Sequence, residues 1–220
     1  MKAVIFDLDG VLVDSEPTHA RALAKTLSEV GASFEEGRQV GWSDADVIQV
    51  CLAEAHLPAG AQAVACLLVR KTQIMLDLIE REHLQPTPGA HELISELKRN
   101  YSLALCSAGR RDEVNAILRA IGCDEFLTTR VVAEDVKHNK PAPDPYQLVA
   151  DRLDLEPADC VAIEDSQRGV ASARAAGCTV IAVGHTTLQS KLAGAHAFFS
   201  HIADLRSDLI ANIHGSDSTH

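Results

Sequence analysis

The chain has 220 residues, 46% of them hydrophobic and 4% aromatic, which suffices to bury a sizeable core in one domain or in one domain carrying an insertion. Its net charge of -11 works against nucleic acid and anionic membrane as partners. That charge still allows a small phosphate held locally by a few residues.

Taken in chain order, the first apolar run, "AVIF" before Asp7, is short and branched enough for a strand buried on both faces. From Glu16 to about Gln85 only helical patterns follow: "HARALAKTLSEVG", "DADVIQVCLAEAH" and "AVACLLVRKTQIMLDLIEREH". "PTPG" (Pro86 to Gly89) reads as a return linker. A helix then gathers Leu93, Ile94 and Leu97, "LALC" before Ser107 forms a strand, and a second helix gathers Val114, Ile117, Leu118 and Ile121. "DPYQLVADRL" predicts a helix with Asp144 as N-cap and Pro145 at the first helical position. "VAI" before Glu164 and "VIAV" before Gly184 are two further strands, and between them "QRGVASARAAG" runs to a C-capping Gly177. The expectation is a doubly wound, Rossmann-like parallel-sheet α/β core, residues 1–14 and 87–213, with an all-helical domain inserted over residues 15–86. The polar tail, residues 214–220, is expected to fray.

Six scattered cysteines with no CxxC pair read as free thiols in a reducing compartment. No apolar stretch reaches membrane-spanning length, and the N-terminus turns charged at Asp7, too early for a signal peptide. These features point to a cytoplasmic soluble protein, monomeric or at most dimeric.

The chemistry gathers where the strands end. Ligands of an open parallel sheet collect at the carboxyl ends of its strands, and the residues expected there are Asp7, Asp9, Ser107, Glu164 and Asp165, with Lys140 in the loop before a helix. Two aspartates set two apart after a strand crowd like charge, which a hard cation relieves. Magnesium takes one or two carboxylates plus waters and a substrate phosphate. Asp7 and Asp165 can supply those carboxylates, and a backbone carbonyl near Asp9 another oxygen. A carboxylate can also attack phosphorus, splitting one hard displacement into two. Lys140 and Ser107 suit neutralising the phosphoryl oxygens, and Asp9 suits proton transfer to the leaving oxygen. Each residue also has a plain reading: DxDG as a turn, Glu164 and Asp165 as a helix cap, Ser107 as another, Lys140 as a solvated charge. Their joint occurrence in the order one cleft requires favours the chemical reading.

"FDLDGVLVDSE", "CSAG", "KPAPDPY" and "IEDSQRGVASARAAG" closely resemble the four ordered motifs of the haloacid dehalogenase-like hydrolase superfamily, from Lys2 to about Val183. The chain looks like the branch with a small helical cap that holds phosphoglycolate phosphatase, sugar-phosphate phosphatases and β-phosphoglucomutase. The resemblance implies Asp7 as nucleophile and Asp9 as general acid/base. It implies phosphate binding by Ser107, Ala108 and Lys140, and magnesium held by Asp7, the Asp9 carbonyl and Asp165, with Glu164 direct or through water. Ala108 stands where the phosphatases often have asparagine. Dehalogenation fits poorly, because those members lack the second aspartate present here as Asp9.

The cap is expected to choose the substrate. "GWSD" matches the family's cap loop, making Trp42, Ser43 and Asp44 candidate substrate contacts. Mutases resembling β-phosphoglucomutase typically carry arginine where this chain has Asp44, and an acid there repels a second phosphate. His19 can position Asp9 or water, or be a structural histidine; Trp42 can touch substrate or pack between helices; Arg110 can reach an anion or stay a surface charge. The leading expectation is a magnesium-dependent phosphatase of a small phosphomonoester, a sugar or polyol phosphate. A phosphosugar mutase holding a second phosphate with Arg38, Arg70 or Lys71 is the alternative, and a non-enzymatic phospho-acceptor a third reading.

Overall fold

The computed structural model describes residues 1–35, 37, 43–184, 190 and 192–217. Two compact units result: Met1–Asp14 with Gln85–His220, and Ser15–Leu84.

The first unit is built on six parallel strands: β1 (Ala3–Phe6), β2 (Ser102–Cys106), β3 (Thr129–Val131), β4 (Cys160–Glu164), β5 (Thr179–Val183) and β6 (Ala197–Phe199). Their order is β3-β2-β1-β4-β5-β6, so the chain reverses its direction of travel across the sheet between β1 and β4. β1 is buried throughout and lies between β2 and β4. Four of the six strands coincide with apolar runs legible in the sequence. β3 and β6 do not, because each has only three residues at a sheet edge and most of them are only half-buried.

Helices α4 (Ala90–Leu97), α5 (Arg111–Ala120), α6 (Asp144–Arg152), α7 (Gln167–Ala176) and α8 (Ser207–Asp217) complete this unit. Strand side chains alternate between faces. One face therefore carries Ala3, Ile5, Ala104, Cys106, Cys160, Ala162, Val180 and Ala182, which pack in one cluster with Tyr146, Val149, Val170 and Ala173 of α6 and α7. Most of these strand residues are small, which lets the two helices lie close to the sheet.

Two local expectations are corrected. α6 starts one residue early, with Pro143 at the N-cap and Asp144 as the first helical residue. The Asp144 carboxylate accepts from His138 Nδ1 at 2.9 Å instead of capping backbone amides. α8 runs through Asp217, so the first four residues of the expected tail are helical, and His214 is buried, its Nδ1 3.0 Å from Thr179 Oγ1 on β5; residues 218–220 lie outside the described residues. A polar-looking tail hides one residue with a buried partner, which composition alone does not reveal.

The second unit consists of α1 (Glu16–Ser28), α2 (Asp44–Glu54) and α3 (Ala61–Glu82). Leu23 and Leu27 of α1, Val47, Ile48, Cys51 and Leu52 of α2, and Val64 of α3 form its core. It has no strand among the described residues. All six cysteines are free, five of them buried. Burial pushes the Cys106 thiol up to about 12 and the Cys123 and Cys160 thiols to about 11, which leaves them unreactive. Among the described residues no helix is long and apolar enough to cross a membrane.

Candidate active site

Strand register assembles the site. Phe6 pairs with Leu105 on one side and with Ile163 on the other, so the chain leaving β1 meets Cys106 and Ser107 to one side and Glu164 and Asp165 to the other. This is the sheet's topological switch point, where open α/β folds form their ligand crevice. Asp7 still donates its amide to Ile163 O at 3.0 Å, and Ser107 donates its own to Val131 O at 3.0 Å. Gly10, at φ 77°, then turns the chain in a conformation that side-chain-bearing residues rarely adopt.

Asp7, Glu164 and Asp165 are all buried, and each offers one carboxylate oxygen to a group whose members lie within 4.8 Å of one another. Lys140 sits among them, nearly fully buried. Its Nζ donates to Asp7 Oδ1 at 2.7 Å, to Glu164 Oε1 at 2.6 Å and to Cys106 O at 2.8 Å. The reading of Lys140 as a solvated surface charge is therefore wrong: the turn before α6 folds inward, and Arg168 on α7 donates to Lys140 O at 2.6 Å and 3.0 Å. Burial lowers the Lys140 pKa, but the Asp7 and Glu164 carboxylates outweigh it, so the ammonium stays charged well above the usual lysine range. For Asp7, burial pushes the pKa well up and Lys140 pulls it back, while Glu164, Asp165 and Asp9 add repulsion. Burial with several like charges is what a divalent cation would offset, and an all-oxygen set suits a hard ion.

Glu164 is held from several sides. Besides Lys140 it accepts from Tyr146 Oη at 2.6 Å, Ser166 Oγ at 3.1 Å and the Asp165 amide at 3.2 Å. Ser166, and not the preceding acids, is the N-cap of α7, its hydroxyl accepting from the Gly169 amide at 3.0 Å. Gly169 is required there: a Cβ would lie 2.0 Å from the Glu164 carboxylate carbon and both its oxygens.

The serine loop completes the group. Ser107 Oγ accepts from the Gly109 amide at 3.0 Å and caps no helix, since Arg110 is the N-cap of α5. Ala108 is exposed, and its amide donates to no described residue, leaving an N–H for an anion. A Cβ on Gly109 would stand 3.2 Å from Ser107 Oγ and 4.0 Å from Asp9 Oδ2, which places Asp9 beside this loop. Arg110 is half-exposed with its guanidinium 3.6 Å from Glu134, a surface pairing.

Tyr146, Ser166 and Arg168 went unassigned in the sequence reading although they lie inside the quoted motifs. Only their distances from Glu164 and Lys140 mark them. Of the residues expected to choose substrate, Trp42 lies outside the described residues. Ser43 caps α2, accepting from the Asp46 amide at 3.2 Å and donating to Asp46 Oδ2 at 2.7 Å. His19, Asp44 and Lys71 come together inside the helical unit. Lys71 Nζ is 2.7 Å from Asp44 Oδ2 and donates to His19 Nδ1 at 2.8 Å, which puts a neutral ring's proton on Nε2.

A switch-point cluster of buried carboxylates around one ammonium, beside a hydroxyl and a free amide, is an arrangement suited to handling a phosphoryl group. The model of the haloacid dehalogenase-like hydrolases matches residues 1–177, and the chain belongs to that family. It is 35% identical over 199 residues to hexitol phosphatase A of Escherichia coli, covering 83% of this chain and 82% of that one. With β-phosphoglucomutase of Bacillus subtilis it shares 30% over 219 residues, covering 96% and 94%. Crystalline CbbY from Rhodobacter sphaeroides in complex with phosphate superposes with a TM-score of 0.81 at 27% identity, over 93% of this chain and 96% of that one.

Proposed function

We propose that this hydrolase is a magnesium-dependent phosphatase of a small phosphomonoester, a sugar or polyol phosphate, working through an aspartyl phosphate on Asp7. The observation that carries the reading is Lys140 bridging Asp7 and Glu164 inside a buried carboxylate cluster. An Asp7 oxygen attacks phosphorus, and the ester P–O bond breaks as Asp9 gives a proton to the departing alkoxide. Asp9 then takes a proton from water, whose oxygen attacks phosphorus and frees Asp7 and inorganic phosphate. The Ser107 hydroxyl and the Ala108 amide hold the phosphoryl oxygens through both steps, and Lys140 joins them by exchanging one of its three present contacts. Asp7, the Asp9 carbonyl, Asp165 and Glu164 would hold the magnesium ion, which supplies positive charge against the transferring group. Glu164, tied by Lys140, Tyr146 and Ser166, serves chiefly to orient this set.

Residues 15–86 act as a substrate-choosing cap in this reading. Hexitol phosphatase A supports a polyol or sugar phosphate, and the β-phosphoglucomutase relative keeps phosphosugar isomerisation as a second reading. Two of the cap cations that a mutase would need for a second phosphate are already matched. Lys71 pairs with Asp44 and Arg70 with Glu29 at 2.6 Å, which favours a monophosphate; Arg38 lies outside the described residues.

The test is phosphate release with magnesium from a panel of hexose, hexitol, glycerol, glycolate and nucleotide phosphates, with β-glucose 1-phosphate also assayed for isomerised product. Release from one or a few esters that is abolished in Asp7→Asn is expected. Isomer without free phosphate would replace hydrolysis with mutase chemistry.

A further inference from the structure

Along the outer edge of β3, apart from the residues of the catalytic cluster, a cavity of about 520 Å³ is lined by Arg111, Asn115, Thr128, Thr129, Arg130 and Arg152. Its volume falls within the range of roughly 300–1,000 Å³ typical of small-molecule clefts. Every lining side chain carries a hydrogen-bond donor and none is a carboxylate. In a chain of net charge -11, three guanidiniums around one concavity are a local reversal of sign.

Arg130 is half-buried and held in place, whereas Arg111 and Arg152 are exposed. Arg130 donates to Leu127 O at 2.5 Å, Asp124 O at 2.6 Å, Asp124 Oδ1 at 2.9 Å and Asn115 Oδ1 at 2.8 Å. Asp135 bridges the other two, 2.5 Å from Arg111 Nη2 and 3.0 Å from Arg152 Nη2. Arg152 also donates to Arg130 O, the outward carbonyl of the edge strand. Glu134 also lies against Arg111, accepting from its amide at 3.0 and 3.3 Å, and pairs with Arg110. Three carboxylates, Asp124, Glu134 and Asp135, thus face four guanidiniums.

Donors also remain unspent. Among the described residues, Arg111 Nε and Nη1 and the Thr128 and Thr129 hydroxyls have no protein partner, and neither has Asn115 Nδ2, since Asn115 uses its oxygen toward Arg130. Positive charge beside unspent hydroxyl and amide donors suits a phosphate group attached to a hydroxylated body.

We propose that this edge-strand cavity is a second anion site, separate from the catalytic cluster, that binds a small phosphorylated metabolite. Its phosphate rests on Arg111 with Arg152 behind it, and its hydroxyl-bearing part lies against Asn115, Thr128 and Thr129. A free phosphate ion offers the same phosphate chemistry, so the test separates the two sources.

The full-length Asp7→Asn chain, inactive on the mechanism proposed above, is followed by amide NMR in magnesium while inorganic phosphate or sorbitol 6-phosphate is added at constant ionic strength. The expected result is saturable movement of the Arg111, Asn115 and Thr129 amides with a midpoint distinct from that of Ser107 and Ala108. Adding Arg111→Gln should weaken the first set about tenfold, the loss of one charge-assisted contact, and leave the second set unchanged. Thr129→Val, which keeps the strand, should weaken sorbitol 6-phosphate more than inorganic phosphate. Tighter binding of the sugar alcohol ester identifies a metabolite site, and equal binding a phosphate-ion site. No saturable movement, movement reproduced by chloride, or movement indifferent to both substitutions would overturn the proposal.

Discussion

Replacing Lys140 by methionine keeps the length of the stem beside the Tyr146 ring, 5.1 Å from Nζ, and removes only the charge and its donors. The ammonium makes three contacts of 2.6–2.8 Å, two of them to carboxylates, and the side chain is 6% exposed. Without it Asp7 and Glu164 face each other in a buried setting with no compensating cation. Breaking one side of a buried ion pair costs about 3–5 kcal/mol, and two partners are stranded here, so the upper half of that range is expected in metal-free protein. The loss must depend on pH. Burial already raises Asp7 above its ordinary 3.8, and removing Lys140 raises it further. A carboxyl raised in the folded state costs nothing while protonated and costs more as pH climbs past its unfolded value. The deficit should therefore grow as pH rises through the parent's raised Asp7 value and be larger near neutrality than near pH 4, and magnesium should recover part of it by replacing the missing positive charge. Urea denaturation of parent and variant at about pH 4.5 and about pH 7.5, each with chelator and with magnesium, reads all of this. Turnover on the best ester should fall by about 10² to 10³, as for loss of a preorganised charge at a transferring group. A deficit below about 1 kcal/mol at the higher pH, or one equal at both pH values, would refute the view that Lys140 compensates buried carboxylates.

Gly169→Ala drives a methyl group to within 2.0 Å of the Glu164 carboxylate. Displacing that group by an ångström should cost about a hundredfold in turnover and weaken magnesium dependence, and kinetics within about threefold of the parent would show that Glu164 does not order the site. Asp135 carries a different signature: burial raises its pKa, but the Arg152 and Arg111 guanidiniums and the Val132 amide prevail and hold it at about 2. Its contribution is present above the ordinary carboxylate range and is lost as pH falls from about 4 toward about 2. Asp135→Asn should thus be less stable than the parent at neutral pH by about 1 kcal/mol, discounted for the half-exposed arginines, with the two curves converging below about pH 2.5. A gap that stays constant into acid would count against the pairing.

Much of this protein is legible in its sequence because the informative signals are local. "AVIF", "LALC" and the runs before Glu164 and Gly184 are fully buried parallel strands, and such strands are continuous apolar stretches whatever surrounds them. The run of helical periodicity from Glu16 to Gln85 likewise marks the inserted unit, since three amphipathic helices can bury their faces on one another. The acidic motifs stand at strand ends, where an open parallel sheet gathers its ligands.

Only the tertiary structure decided which charges meet. Lys140 is 133 residues from Asp7 and 24 from Glu164; the resemblance of "KPAPDPY" to a family motif marks it as a phosphate binder, but which carboxylates it bridges shows only once Arg168 pins the turn. Lys71 and Asp44 read singly as an attractor and a repeller of phosphate. Their 2.7 Å pairing cancels both, because Coulomb energy depends on separation in space and not along the chain. The same holds at the β3 edge of the sheet, where Arg111, Arg130 and Arg152 come from three different elements and share one cavity only once β3, too short to declare itself in sequence, has paired with β2.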